Sequence, residues 1–174
     1  MDNKNNFTKS EVLPDNIVRR YQVETTSKYT IAGRPLFETS SKIKMSIVCS
    51  EIVGNHYLLD IRILSQANNY GLEFLEQKYL NLLDKVNDIQ SHLFVSMDLS
   101  GKLKDILNFS ELHEKWESIK TDITDPSAEI AKIISDGDQQ YTHGSQFFAA
   151  ELNKTTLYKT LGMGLLSFDG IRRE

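Results

Sequence analysis

The chain has 174 residues, with 20 Lys+Arg against 24 Asp+Glu, a formal net charge of −4 and a pI near 5.6. Hydrophobic residues make up 40%, with 9 Gly, 3 Pro and 1 Cys. These values exclude collagen-like, mucin-like and wholly disordered chains, and fit one domain burying roughly 70% of its unfolded surface.

Residues 1–14 (MDNKNNFTKSEVLP) are polar and lack the apolar stretch of a secretory signal. They read as a flexible arm ahead of a single α+β domain over residues 15–174. Period-2 patterning follows. In Ile17–Thr25, Tyr21 and Val23 face away from Arg20, Gln22 and Glu24; Lys28–Ala32 alternates again, and Gly33-Arg34-Pro35 predicts a turn. In Lys42–Glu51, Ile43, Met45, Ile47 and Cys49 share one side. After a turn at Gly54-Asn55, Tyr57, Leu59, Ile61 and Ile63 share one side as well. Two such segments around a short Gly-containing connection predict a hairpin. Leu58 and Leu64 fall on the opposite side of that last strand, which is then covered on both faces or exposed to a partner.

The period then lengthens. Leu72, Leu75, Tyr79, Leu82, Leu83 and Val86 recur at helical spacing, predicting a helix over 70–90. Leu93, Val95, Met97 and Leu99 alternate as a strand. Asp98–Gly101 is a turn, and Lys102–Leu107 a paired strand. Asn108 with Glu111 has the spacing of a capping box, and Leu107 with Leu112 that of a hydrophobic staple, ahead of a helix through Trp116 and Ile119. Asp125-Pro126 predicts another helix start, with Ile130, Ile133 and Ile134 on its buried side and Gly137 at its end. Ser145–Asn153 is predicted helical, and Thr155 or Thr156 caps a last short helix through Leu161. Strands grouped before helices indicate an α+β fold: a curved antiparallel sheet of about five to six strands, packed on one face by about four to five helices.

The chemistry-bearing residues are dispersed. His56, His92, His113 and His143 include no i, i+4 pair, and Glu117 stands where a zincin-like helix starting at His113 needs its second histidine. Asp136-Gly137-Asp138 lacks the ligand spacing of a calcium loop. Cys49 is the only cysteine, which excludes an intramolecular disulfide and a multi-cysteine zinc site and points to a reduced, cytoplasmic setting. It lies on an apolar strand face, where a thiol is inert. Gly162-Met163-Gly164 matches neither a dinucleotide fingerprint nor a P-loop. Glu73/Glu76 and Glu111/Glu114 read as solvated helix faces. Residues 1–44 hold 8 basic and 5 acidic side chains and residues 45–174 hold 12 and 19, without the dense basic stripe of a nucleic-acid binder. No apolar run approaches the ~20 residues of a membrane helix. The element order over Leu93–Ile119, strand, Asp-x-x-Gly, strand, Asn, helix with a Trp, resembles curved-sheet domains that hold apolar ligands.

No catalytic residue, cofactor or metal site is expected. The pattern indicates a non-enzymatic protein–protein interaction module: an adaptor, an accessory subunit of a larger assembly, or an immunity-type inhibitor. It would act on a protein partner or by self-association, with neither nucleic acid nor a membrane span involved. The expected partner-facing patch is Leu161, Met163, Leu165, Leu166 and Phe168, against the plainer role of closing the core. The alternatives are a carrier of an apolar small ligand held between sheet and helices, and an enzyme whose site is assembled from distant residues.

Overall fold

Side chains that alternate between apolar and polar bury one face of an extended chain, and that pattern runs through most of the first half of the sequence. In a computed structural model, which describes residues 18–31, 34–69, 77–123, 127–155 and 157–159, it yields three long strands. These are β1 (Val18–Ile31), β2 (Arg34–Val53) and β3 (His56–Asn69). Helix α1 (Gln77–Ile89) leads to the shorter β4 (His92–Asp98) and β5 (Leu103–Ile106). Helices α2 (Phe109–Thr121), α3 (Ala128–Thr142) and α4 (Ser145–Leu152) follow, with a further helical turn at 157–159. The five strands form one antiparallel sheet in the order β1-β2-β3-β4-β5, so the protein is α+β.

The two segments expected on either side of Ser27 are one strand, and β2 begins at Arg34 rather than after a longer loop. The Thr39-Ser40-Ser41 run reads locally as loop, but pairing with β1 on one side and β3 on the other supplies its backbone partners. Pro35 is tolerated near the start of β2, opposite Thr30, where the register shifts. The β2–β3 reversal falls at Gly54-Asn55 as expected, with Gly54 at φ 59°.

One face of the sheet carries Met45, Ile47, Cys49, Tyr57, Leu59, Ile61, Leu93, Val95, Met97, Leu103 and Ile106, all buried. Helices close over it with Leu82, Ile89, Leu112, Trp116, Phe148 and Leu152. Trp116 stacks on Tyr141 with ring centroids 5.6 Å apart, and Tyr141 meets Phe148 at 5.3 Å. Burial pushes the Tyr141 hydroxyl up to about 12, although Gln90 donates to it at 3.0 Å.

Gly137 does not end a helix; α3 runs on to Thr142. Its role is steric. A Cβ at Gly137 would lie 2.2 Å from the Trp116 ring, so only hydrogen fits where α3 crosses the indole. A helical glycine costs about 1 kcal/mol relative to alanine, less than the packing of a buried tryptophan contributes. The indole N–H donates to Asp138 at 2.9 Å and Lys120 reaches the same oxygen at 2.8 Å, tying α2 to α3.

Two cap expectations are corrected. Asn108 precedes α2, but its side chain does not cap the helix. It accepts from the Phe94 N–H at 2.9 Å and donates to the His92 carbonyl at 3.1 Å, fastening α2 to β4. Leu107 is exposed while Leu112 is buried, so no staple forms. The cap of α3 is Ser127, which accepts from the Ile130 N–H and bonds the Tyr79 hydroxyl at 2.7 Å, not Asp125, which lies outside the described residues with Pro126. Also outside them are the 1–14 arm, the first part of the helix expected over 70–90, and Glu73/Glu76.

Candidate functional site

The strands that bury one face present a second set of side chains on the other. The helices pack on the buried face, and the outer one carries apolar residues of its own. Strand register places Val18, Val48, Asp60 and Phe94 in one row across β1–β4. The next row is Arg20, Ser46, Arg62 and His92. On the other side of the first, Leu58 stands opposite Ser96. Val48, Leu58 and Phe94 are half-buried; Val18 and Leu64 are 55% and 56% exposed. Of the two leucines expected to be covered or partner-facing, Leu58 lies on the outer side, whereas Leu64 falls at the register shift of the β2–β3 ladder, where it borders a hollow with Asp84, Asn87 and Asp88 of α1.

A polar group interrupts the first row at Asp60 and continues into the next with Arg62 and His92. Arg62 donates to Asp60 through Nε at 3.0 Å and Nη2 at 2.9 Å. His92 Nε2 lies 3.1 Å from the other side of the group, on Asp60 Oδ1. The Arg62 bond, more than the opposing burial, holds the Asp60 carboxyl below its ordinary value, and the same bond raises the guanidinium. Arg62 with Asp60 is a forked, charge-assisted pair in fixed orientation, so the strip presents directional donors next to an apolar surface.

At one end of the sheet, Asp98 organises the β4–β5 turn. Its Oδ1 accepts from Ser100 N–H at 2.8 Å, Ser100 Oγ at 2.6 Å and Lys102 N–H at 3.0 Å, while Lys104 sits 2.9 Å from Oδ2. Burial pushes this carboxyl up, but those donors outweigh it and hold it well below the usual carboxylate range.

The expected patch Leu161, Met163, Leu165, Leu166 and Phe168 lies outside the described residues, as does Gly162-Met163-Gly164. The histidines occupy separate places. His56 is exposed beside the β2–β3 turn, His92 is on the outer face, His113 Nδ1 is 2.9 Å from the Tyr141 carbonyl, and His143 Nδ1 is 2.8 Å from the Gln139 carbonyl. Among the described residues, no three His, Cys, Asp or Glu side chains converge to hold a metal, and no helix is long and apolar enough to cross a membrane. Cys49 is buried on the inner face. An open hollow of about 480 Å³ lies between α1, α2 and the start of α3, floored by Leu82, Ile119, Ile123 and Ile130 and rimmed by Lys78 and Lys85.

Asp60 and Arg62 could have been paired from sequence, since i and i+2 share a face of a strand. Adding His92 and Phe94 to them required the β3–β4 register, which depends on α1 returning the chain beside β3. No family model matches the chain, and neither a curated protein nor a solved structure is significantly similar to it.

Proposed function

We propose that this protein is a non-enzymatic protein–protein interaction module whose partner docks on the outer face of the sheet. The observation that carries it is the apolar set Val18, Val48 and Phe94, extended by Leu58, on the side of the sheet that the described helices leave open. A partner covering these residues gains the apolar contact, while Arg62, Asp60 and His92 fix its orientation. Adaptor, accessory-subunit and inhibitor roles all need such a surface and no turnover.

The test compares variants rather than relying on capture alone. Leu58→Asp and Phe94→Ser are expected to melt close to wild type and to lose the proteins that wild-type bait retains from its source lysate. Lys132→Ala, on the exposed side of α3, is expected to keep them. Retention of the same proteins by all four baits overturns the proposal.

A second reading, a carrier of a small apolar ligand, draws on the hollow floored by Leu82, Ile119, Ile123 and Ile130 rather than on a space between sheet and helices. Fatty acids are the probe. A thermal shift with them that Ile119→Glu abolishes supports this carrier, and its absence retires it.

A further inference from the structure

Strand β1 is an edge strand: among the described residues it pairs with β2 and with no other strand. Edges are usually blunted by charged side chains, proline, bulges or being very short, and of these β1 carries charges, but of both signs. Residues 18–28 contain no proline, and the one irregularity of the β1–β2 ladder falls later, between Tyr29 and Thr30. The strand presents two distinct faces. Arg20, Gln22 and Glu24 are exposed on the outer side, where Glu24 meets Lys42 at 2.7 Å and Gln22 donates to Glu24 at 3.0 Å. Tyr21 and Val23 are half-buried on the inner side and pack against the core.

We infer that β1 pairs antiparallel with β1 of a second copy of this chain, about a two-fold axis at Gln22, joining the two sheets edge to edge. Charge selects the register. A two-fold axis perpendicular to the sheet keeps outer side chains on one side, so it passes through a residue and pairs even positions with even ones and odd with odd; axes at Tyr21, Val23 or Thr25 also meet this condition but set no opposite charges against each other. With the axis at Gln22, Arg20 stands opposite Glu24 twice, once on each side of the axis, and the two Gln22 amides meet at the centre. On the inner face the same register sets Tyr21 against Val23, extending the apolar face across the junction, with Arg19 opposite Thr25. Moving the axis to Glu24 places Glu24 against itself and Arg20 against Lys28, which like charges disfavour. An axis at Thr26 sets Glu24 against Lys28, but it keeps only residues 24–28 paired before the irregularity at Tyr29, against residues 18–26 for the axis at Gln22.

This inference deepens the interaction reading by naming one partner, and it rests on that reading only in giving this protein a surface to share. It uses the edge of the sheet, whereas the proposed docking site is the outer face. One strand pair is a small interface, so the dimer is expected to be reversible and concentration-dependent.

Sedimentation velocity of the full chain across a wide concentration range reads it directly. Wild type is expected to move from monomer to dimer as concentration rises. Arg20→Glu and Glu24→Arg are each expected to weaken the dimer about tenfold or more, by setting like charges opposite one another. Arg20→Glu combined with Glu24→Arg is expected to restore it. Both changes are at exposed positions, and an unchanged melting curve of each variant shows that the fold is intact. Gln22→Cys supplies an independent reading: it is expected to cross-link two copies on mild oxidation, since the native Cys49 is buried, while Glu24→Cys is not. A wild type that stays monomeric up to its solubility limit, or a dimer indifferent to both single charge reversals, overturns the inference. Either result leaves the outer-face reading to stand or fall on the Leu58 and Phe94 variants.

Discussion

The two faces of the sheet are built from the same strands, and adjacent residues of one type have opposite fates on them. Leu59 is fully buried in the core, while Leu58, one residue earlier, is only half-buried on the outer side. On the inner face the helices exclude water from Tyr57, Leu59 and Ile61 of β3 and from the inward side chains of β4 and β5. On the outer face an apolar row and the Arg62–Asp60–His92 strip stay accessible together. Residue type therefore does not decide what a leucine does here; the side on which the helices pack does.

Paired truncations test that contrast most directly. Leu59→Ala removes a fully buried side chain and is expected to cost about 2–5 kcal/mol in chemical denaturation. Leu58→Ala is expected to cost less than ~1 kcal/mol, because a half-exposed side chain loses little burial. Equal costs at the two positions would mean that the outer face is covered as well. The next effect is at Gly137. Alanine there should gain helix propensity, but its Cβ overlaps Trp116, so a net loss of about 1–3 kcal/mol is expected. Combining it with Trp116→Leu should yield a clearly sub-additive loss, as expected for residues in contact.

A smaller effect is pH-dependent. The folded-state carboxyl of Asp98 titrates below its unfolded counterpart, so its contribution is complete above the unfolded pKa and fades as pH falls through the folded one. Asp98→Ala is expected to lose about 1–3 kcal/mol at neutral pH, with the gap to wild type narrowing progressively below about pH 4. A gap that stays constant down to pH 2 in acid titrations of stability would show that the loop geometry, and not the charge, holds the turn. The smallest effect on stability belongs to the outer polar strip. His92→Gln is expected to leave the melting temperature unchanged and to weaken partner binding, which surface plasmon resonance would read once a partner is in hand. A fall in melting temperature would instead place His92 in the framework of the fold.

The strands legible in the sequence were those whose alternation is uninterrupted, such as Met45–Cys49 and Tyr57–Ile63. Less legible was 36–41, where serine and threonine imitate a loop and only pairing on both sides makes a strand. Gly137 looked like a helix stop because glycine usually is one; what keeps it is an indole contributed by a residue 21 positions earlier, Trp116. Asn108 was placed at the right helix end with the wrong partner, since its contacts at Phe94 and His92 depend on how β4 runs past it. Of the outer face, Leu58 stood out in the sequence, while Leu64, which the alternation put there too, falls at a register shift beside α1. The polar strip did not stand out, because His92 is 32 positions from Asp60 along the chain.

By itself, the sequence determined most of the extended and helical segments, and which side chains point the same way along each uninterrupted stretch of strand, because those properties follow from periods of two and 3.6 residues. Only the tertiary structure decided which side of the strands the helices cover, and so which leucines are core and which are surface. That choice is made by packing between elements distant in the chain, and no local period encodes it.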